Sequence, residues 1–229
     1  MFFDPMYFLF IGPALLVMIY AQLKVRSTYG KYSKVRSTRG TTGVEVANTL
    51  LRANNLTNIR VEQVKGELTD HYDPTKKVLR LSEGVYSSTS VAAVGIVAHE
   101  VGHAVQDAVG YVPMKVRATL VPAANIGSSI APILLLIGIL IASFQLVLVG
   151  IVLFSAAVLF TLVTLPVEFN ASRRALAMLQ SGGLVSVQEN VGAKAVLSAA
   201  ALTYVASLMQ AVGSLMYYIF IALGMRNRD

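Results

Sequence analysis

The chain has 229 residues, of which 55% are hydrophobic and 14% charged, with a mean hydropathy of +0.63 and a formal net charge of +7. A soluble domain of this length does not need so much apolar surface, so composition points to a membrane protein. Cysteine is absent, which excludes disulfides and thiolate ligands, and no basic, aromatic-interleaved module is present, which excludes a nucleic-acid partner.

Residues 5–23 carry no charge and are long enough for one membrane-crossing helix, which takes about 20 apolar residues. No basic residue precedes this stretch and no small-x-small cleavage pattern follows it, so residues 1–24 are expected to form a retained anchor rather than a secretory signal. Lys24, Arg26, Lys31, Lys34, Arg36 and Arg39 follow with no acidic residue among them. By the positive-inside bias this flank is cytoplasmic, and contact with the lipid bilayer accounts for most of the net charge.

Residues 25–117 form the one polar stretch long enough to fold. It opens with a short duplication, Lys24–Gly30 against Lys34–Gly40, to which no function is given. Thr42-Gly43-Val44-Glu45 has capping-box spacing and predicts a helix with Val44, Ala47, Leu50 and Leu51 on one face, ended by Asn54-Asn55. Ile59–Val64 alternates like a half-buried strand, Asp70–Pro74 is turn-like, and Val78–Leu81 is a second strand. Together with the helix that follows, this predicts a minimal α+β unit.

That helix contains His99-Glu100-Val101-Gly102-His103, two of only three histidines in the chain, between apolar flanks. Residues at i and i+4 share a helix face, so both imidazoles can grip one Zn²⁺, and Glu100 can reach a water on it. Glu100 would be costly on so apolar a helix without a partner or a task. Asp107, one turn beyond His103, either orients a histidine or is simply polar at the helix end.

Residues 118–167 are again uncharged and fit two crossing helices joined near Ser143-Phe144-Gln145, the first beginning irregularly around Pro122 and Pro132. Residues 168–194 return to polar character, with Arg173, Arg174 and Lys194. The last uncharged run, within 195–229, predicts a fourth crossing helix rich in small residues such as Ala199, Ala206, Gly213 and Ser214. Those suit close packing inside a bundle or in an oligomer.

A catalytic zinc takes three protein ligands. The remaining candidates are His71 and the carboxylates, and topology singles out Glu168. The motif helix precedes the second crossing helix and Glu168 follows the third, so a hairpin returns both to one membrane face. Otherwise Glu168 is an interfacial carboxylate paired with Arg173 or Arg174. The developing oxyanion needs a donor, and the sequence does not choose among His71, Tyr72 and Arg173. His71 has the best claim, as the only other histidine and in a polar turn, and is otherwise a plain turn histidine.

Ala98–Ala104, Thr69–Pro74, Leu79–Ser82 and Pro166–Leu176 together resemble the YugP-type bacterial membrane zinc metallopeptidases, over a stretch from about residue 29 to the end. The resemblance implies a zinc site on the cytoplasmic side of a bacterial cell membrane and a role in membrane-protein turnover or quality control. More distantly, the pattern is similar to the HtpX and CAAX-protease gluzincins, whose Glu-x-x-Ala-Asp segment supplies the third ligand. Glu168-Phe169-Asn170-Ala171 fits that segment, but Ser172 stands where that group has a supporting Asp.

The expected fold is therefore a membrane α-helical bundle of four spanning helices with a small α+β zincin-like cytoplasmic domain. The expected activity is zinc-dependent hydrolysis of peptide bonds in a protein or peptide substrate. His99, His103 and Glu168 hold the metal, Glu100 acts as general base, and Val78–Leu81 is either the edge strand that pairs with substrate or a purely structural strand. The competing reading is a non-enzymatic metal-binding membrane scaffold. A transporter is disfavoured, since no ionisable residue lies deep in a predicted span.

Overall fold

The computed structural model describes residues 4–226. It is mostly helical, with one three-stranded sheet. Four helices are long and apolar enough to cross a membrane, at Pro5–Tyr32, Val112–Leu140, Phe144–Ser181 and Val187–Arg226. The chain divides into two compact units, one of residues 1–21, 115–165 and 202–229, the other of residues 22–114 and 166–201.

The first unit is built from long apolar helices packed through glycines. A methyl group on Gly127 would stand 2.3 Å from the carbonyl oxygen of Leu153, and one on Gly213 would stand 2.4 Å from that of Phe10. Backbones approach this closely only where a side chain is missing. The small residues of the last helix thus pack within the chain, Ala206 and Ser214 being buried as well. Apolar side chains elsewhere point outward, among them Leu16, Leu140 and Val152, as suits a lipid solvent. The second crossing segment is broken at Ile130, between helices Val112–Ser129 and Ala131–Leu140, with Pro132 in the first turn of the latter. The tight turn comes slightly earlier than the sequence suggests, with Ala142 in the left-handed region (φ 54°) ahead of the helix beginning at Phe144.

The second unit contains the polar domain. Helix α1 (Pro5–Tyr32) runs beyond the uncharged segment, and α2 (Gly43–Ala53) follows. Glu45 accepts hydrogen bonds from the Thr42 amide (2.7 Å) and hydroxyl (2.8 Å), satisfying donors at the helix start. The buried face of α2 is Gly43, Val46, Ala47, Leu50 and Leu51, so Val46 replaces the expected Val44. Strands β1 (Arg60–Val64), β2 (His71–Asp73) and β3 (Val78–Ser82) form a sheet in the order β1-β3-β2, with β1 parallel and β2 antiparallel to β3.

Two expectations are corrected here. The segment Asp70–Pro74 is only partly a turn, because His71–Asp73 pairs with Val78–Arg80. The reversal itself falls at Asp73–Lys77, where Asp73 Oδ1 accepts from the amides of Thr75 and Lys76, both at 3.0 Å. Second, β3 is the central strand and has no free edge for a substrate; the edges are β1 and β2.

After the short helix α3 (Glu83–Tyr86), helix α4 (Val91–Ala108) begins at Ser90, whose hydroxyl accepts the Ala93 amide at 3.2 Å. The core joins α2, the sheet and α4 through Val46, Leu50, Leu79, Leu81, Val97 and Val101, with Ala175 and Leu179 from the helix of Glu168. A fully buried leucine such as Leu79 or Leu81 contributes about 2–5 kcal/mol against truncation to alanine. Such packing fixes α4 to within the tolerance a site requires.

Candidate metal centre

Helix α4 carries His99 and His103 one turn apart, their rings edge to face with centroids 4.7 Å apart. Glu168 comes from α7, here Phe144–Ser181 after α5 (Val112–Ser129) and α6 (Ala131–Leu140). Pro166 lies inside α7 without ending it, so Glu168 sits within a continuous helix rather than at the start of a new one. The Nε2 atoms of the two histidines are 3.2 Å apart, and Glu168 Oε2 lies 3.2 Å from His99 Nε2 and 3.5 Å from His103 Nε2.

Among the described residues, His99, His103 and Glu168 form the one group of this kind that could hold a metal ion. Its geometry fits zinc. Ligand atoms about 2.0–2.1 Å from a tetrahedral zinc stand about 3.3–3.4 Å apart, and the observed triangle has edges of 3.2, 3.2 and 3.5 Å. Two imidazole nitrogens and a carboxylate oxygen converging in a buried place would repel one another unless a proton or a cation lay between them. Without a cation, burial opposes a charge on His103, but its contacts with Glu168 and Glu100 outweigh burial and raise its pKa. The arrangement thus favours a cation or a shared proton at its middle.

The far side of each imidazole is also occupied. His99 Nδ1 is 3.1 Å from the hydroxyl of Ser172, one turn beyond Glu168 on α7. His103 Nδ1 is 3.0 Å from Gln106 Oε1. Gln106 is fully buried and its Nε2 donates to Val167 O at 2.8 Å and Asn170 Oδ1 at 3.0 Å. Sequence reasoning missed Gln106, Asn170 and Arg174 in this setting; the available signal was a lone amide three residues after His103 on an apolar helix.

Glu100 is buried and its Oε2 accepts the Tyr72 amide of β2 at 3.1 Å. Burial pushes its pKa up, partly offset by His99 and His103. A carboxylate of raised proton affinity suits a general base. Tyr72 also directs its hydroxyl to Asp107 Oδ2 at 2.7 Å, and Lys77 Nζ pairs with the same oxygen. Burial and that carboxylate raise the Tyr72 pKa. Asp107 therefore ties α4 to the hairpin, while His103 takes Gln106 instead.

His71 lies apart from the group. It alternates with the buried Tyr72 along β2, so its ring faces the exposed side, with Nδ1 at Thr69 O (2.8 Å) and Nε2 at Arg80 Nη1 (3.3 Å). The structure brings together His99, His103 and Glu168, and Glu100 lies between the two histidines on α4; it does not bring His71 to them.

With a carboxylate and two imidazoles on two packed helices, the chain belongs to a zinc metallopeptidase family: residues 7–223 match the model described as "putative neutral zinc metallopeptidase". It is 46% identical over 225 residues to the "putative membrane protease YugP" of Bacillus subtilis (strain 168), an alignment covering 98% of this chain and 100% of that protein. No solved structure matches.

Proposed function

We propose that this chain is a membrane-integrated zinc metalloendopeptidase that hydrolyses peptide bonds of membrane proteins at the cytoplasmic face, in their turnover. The observation that carries it is the triangle of ligand atoms on His99, His103 and Glu168, sized for zinc, with Glu100 on the same helix as the two histidines. A zinc held by His99, His103 and Glu168 would supply an activated water and polarise a scissile carbonyl. Glu100 would accept a proton from the attacking water and pass it to the leaving amine, with the Tyr72 amide steadying the carboxylate in its deprotonated form. The family and the relative's name support peptidase chemistry. The basic segment from Lys24 to Arg39 supports a cytoplasmic face. The gluzincin-like arrangement rests on the Glu168–Ser172 segment following two helical histidines.

Elemental analysis of the detergent-purified protein tests the site, and cleavage of a model protein tests the chemistry. About one zinc per wild-type chain, much less in Glu168→Ala, and zinc without cleavage in Glu100→Gln are the expected results. Undiminished turnover by Glu100→Gln would remove the proposed base, and a wild type that stays zinc-free after supplementation would leave the scaffold reading.

A further inference from the structure

We infer that Gln106 is a positioning residue that commits His103 to the tautomer with a bare Nε2 facing His99 and Glu168. This rests on the metal site proposed above. Arg174 Nε donates to Asn170 Oδ1 at 2.8 Å. A guanidinium has donors only, so that atom of Asn170 is its carbonyl oxygen. The same oxygen is 3.0 Å from Gln106 Nε2, and the Val167 carbonyl is 2.8 Å from that nitrogen on the other side. Both neighbours accept, so the Gln106 atom between them is the amino group. The other end of the amide, Oε1, then faces His103 Nδ1 at 3.0 Å and accepts. A neutral imidazole has one N–H, and here it is used at Nδ1, which leaves a lone pair on Nε2.

The device has something to oppose. A free His103 would gain by turning an Nε2–H toward Glu168 Oε2, 3.5 Å away. That proton would occupy the place of the cation. Ser172 gives His99 no such commitment, because a hydroxyl 3.1 Å from Nδ1 both donates and accepts. Of the two histidines, His103 is the one pre-set to bind, through an amide buried completely and locked by two acceptors.

The test reads the tautomer and the affinity separately. With three histidines in the chain, ¹⁵N-histidine labelling of the full-length, metal-free protein in detergent resolves each ring, at alkaline pH where imidazoles are neutral. Wild type is expected to show His103 Nε2 as pyridine-like and Nδ1 as pyrrole-like. Gln106→Met is expected to shift His103 toward the Nε2–H form and to weaken zinc binding about 10–100-fold in chelator competition. Ser172→Ala should leave the His103 tautomer unchanged. A wild-type His103 carrying its proton on Nε2 would overturn the inference, as would a folded Gln106→Met chain of unchanged zinc affinity. The wild-type spectrum decides alone should Gln106→Met fail to fold. A bare Nε2 in a wild type that takes up no zinc would uphold the tautomer and overturn the metal site instead.

Discussion

Gly102, the last of the three residues between His99 and His103, lets two backbones come together. A methyl group there would stand 2.6 Å from the carbonyl oxygen of Ala171, on the turn of α7 that also carries Glu168. Backbone cannot yield as a side-chain tip does, so Gly102→Ala is expected to push that turn of α7 off α4 and carry Glu168 away from the imidazoles. Chelator competition should then show weaker zinc binding at unchanged helix content by circular dichroism; a variant binding zinc like wild type would show that the contact does not set the ligand triangle. At this scale the sequence was readable where chemistry imposes a spacing. The approach of His99 to His103 follows from helical periodicity, and that of Glu168 to both from the return of a hairpin. Gln106 and Gly102 were not readable, because one depends on which atoms face a buried amide and the other on how closely two distant helices approach.

The duplicated segment shows at the scale of elements what local sequence cannot decide. Lys24–Gly30 lies in α1, where Thr28 Oγ1 donates to Lys24 O at 2.8 Å within its own helix. Lys34–Gly40 repeats six of those seven residues yet lies beyond the helix and is nowhere helical: the amide of Ser37 donates to Thr89 O and that of Val91 to Val35 O, both at 2.8 Å. Thr38 Oγ1 reaches Glu189 Oε1 at 2.7 Å. Partners from distant segments override an identical local preference. The hairpin was misread for the same reason, since the partner that makes His71–Asp73 a strand is β3. Helix α2, by contrast, announces itself through Thr42 and Glu45. The Thr42 amide and hydroxyl hold the Glu45 carboxyl below the ordinary carboxylate range. A depressed carboxylate stabilises the fold fully above its unfolded pKa and loses that contribution as pH falls through its folded one. The thermal midpoint should therefore decline on acidification through and below the ordinary carboxylate range, and Glu45→Gln should flatten that decline; an unchanged profile would deny the carboxylate this part.

For the whole molecule, the absence of cysteine makes topology directly measurable. Two exposed positions serve as reporters, Ser87 in the polar domain and Ile141 in the turn before α7. With a membrane-impermeant maleimide on intact cells, Ile141→Cys should label at once and Ser87→Cys only after permeabilisation. The reverse pattern would put the candidate site on the outer face. The spacing of charge along the chain foretold four helices long and apolar enough to cross a membrane, because hydrocarbon of fixed thickness sets that length. It could not foretell that the helices bearing Lys24 and Glu168 run on without interruption past the end of their apolar segments.

His99 precedes Glu168 by 69 residues, and that interval has a meaning in time. A ribosome making this chain finishes α4, α5 and α6 before Glu168 exists. Under the proposed function, the nascent chain would through that period carry two imidazoles and the proposed base without the third ligand, beside other unfolded membrane proteins of the class it would cleave. Splitting the ligands across the chain would delay activity until the third of its four long apolar helices was made.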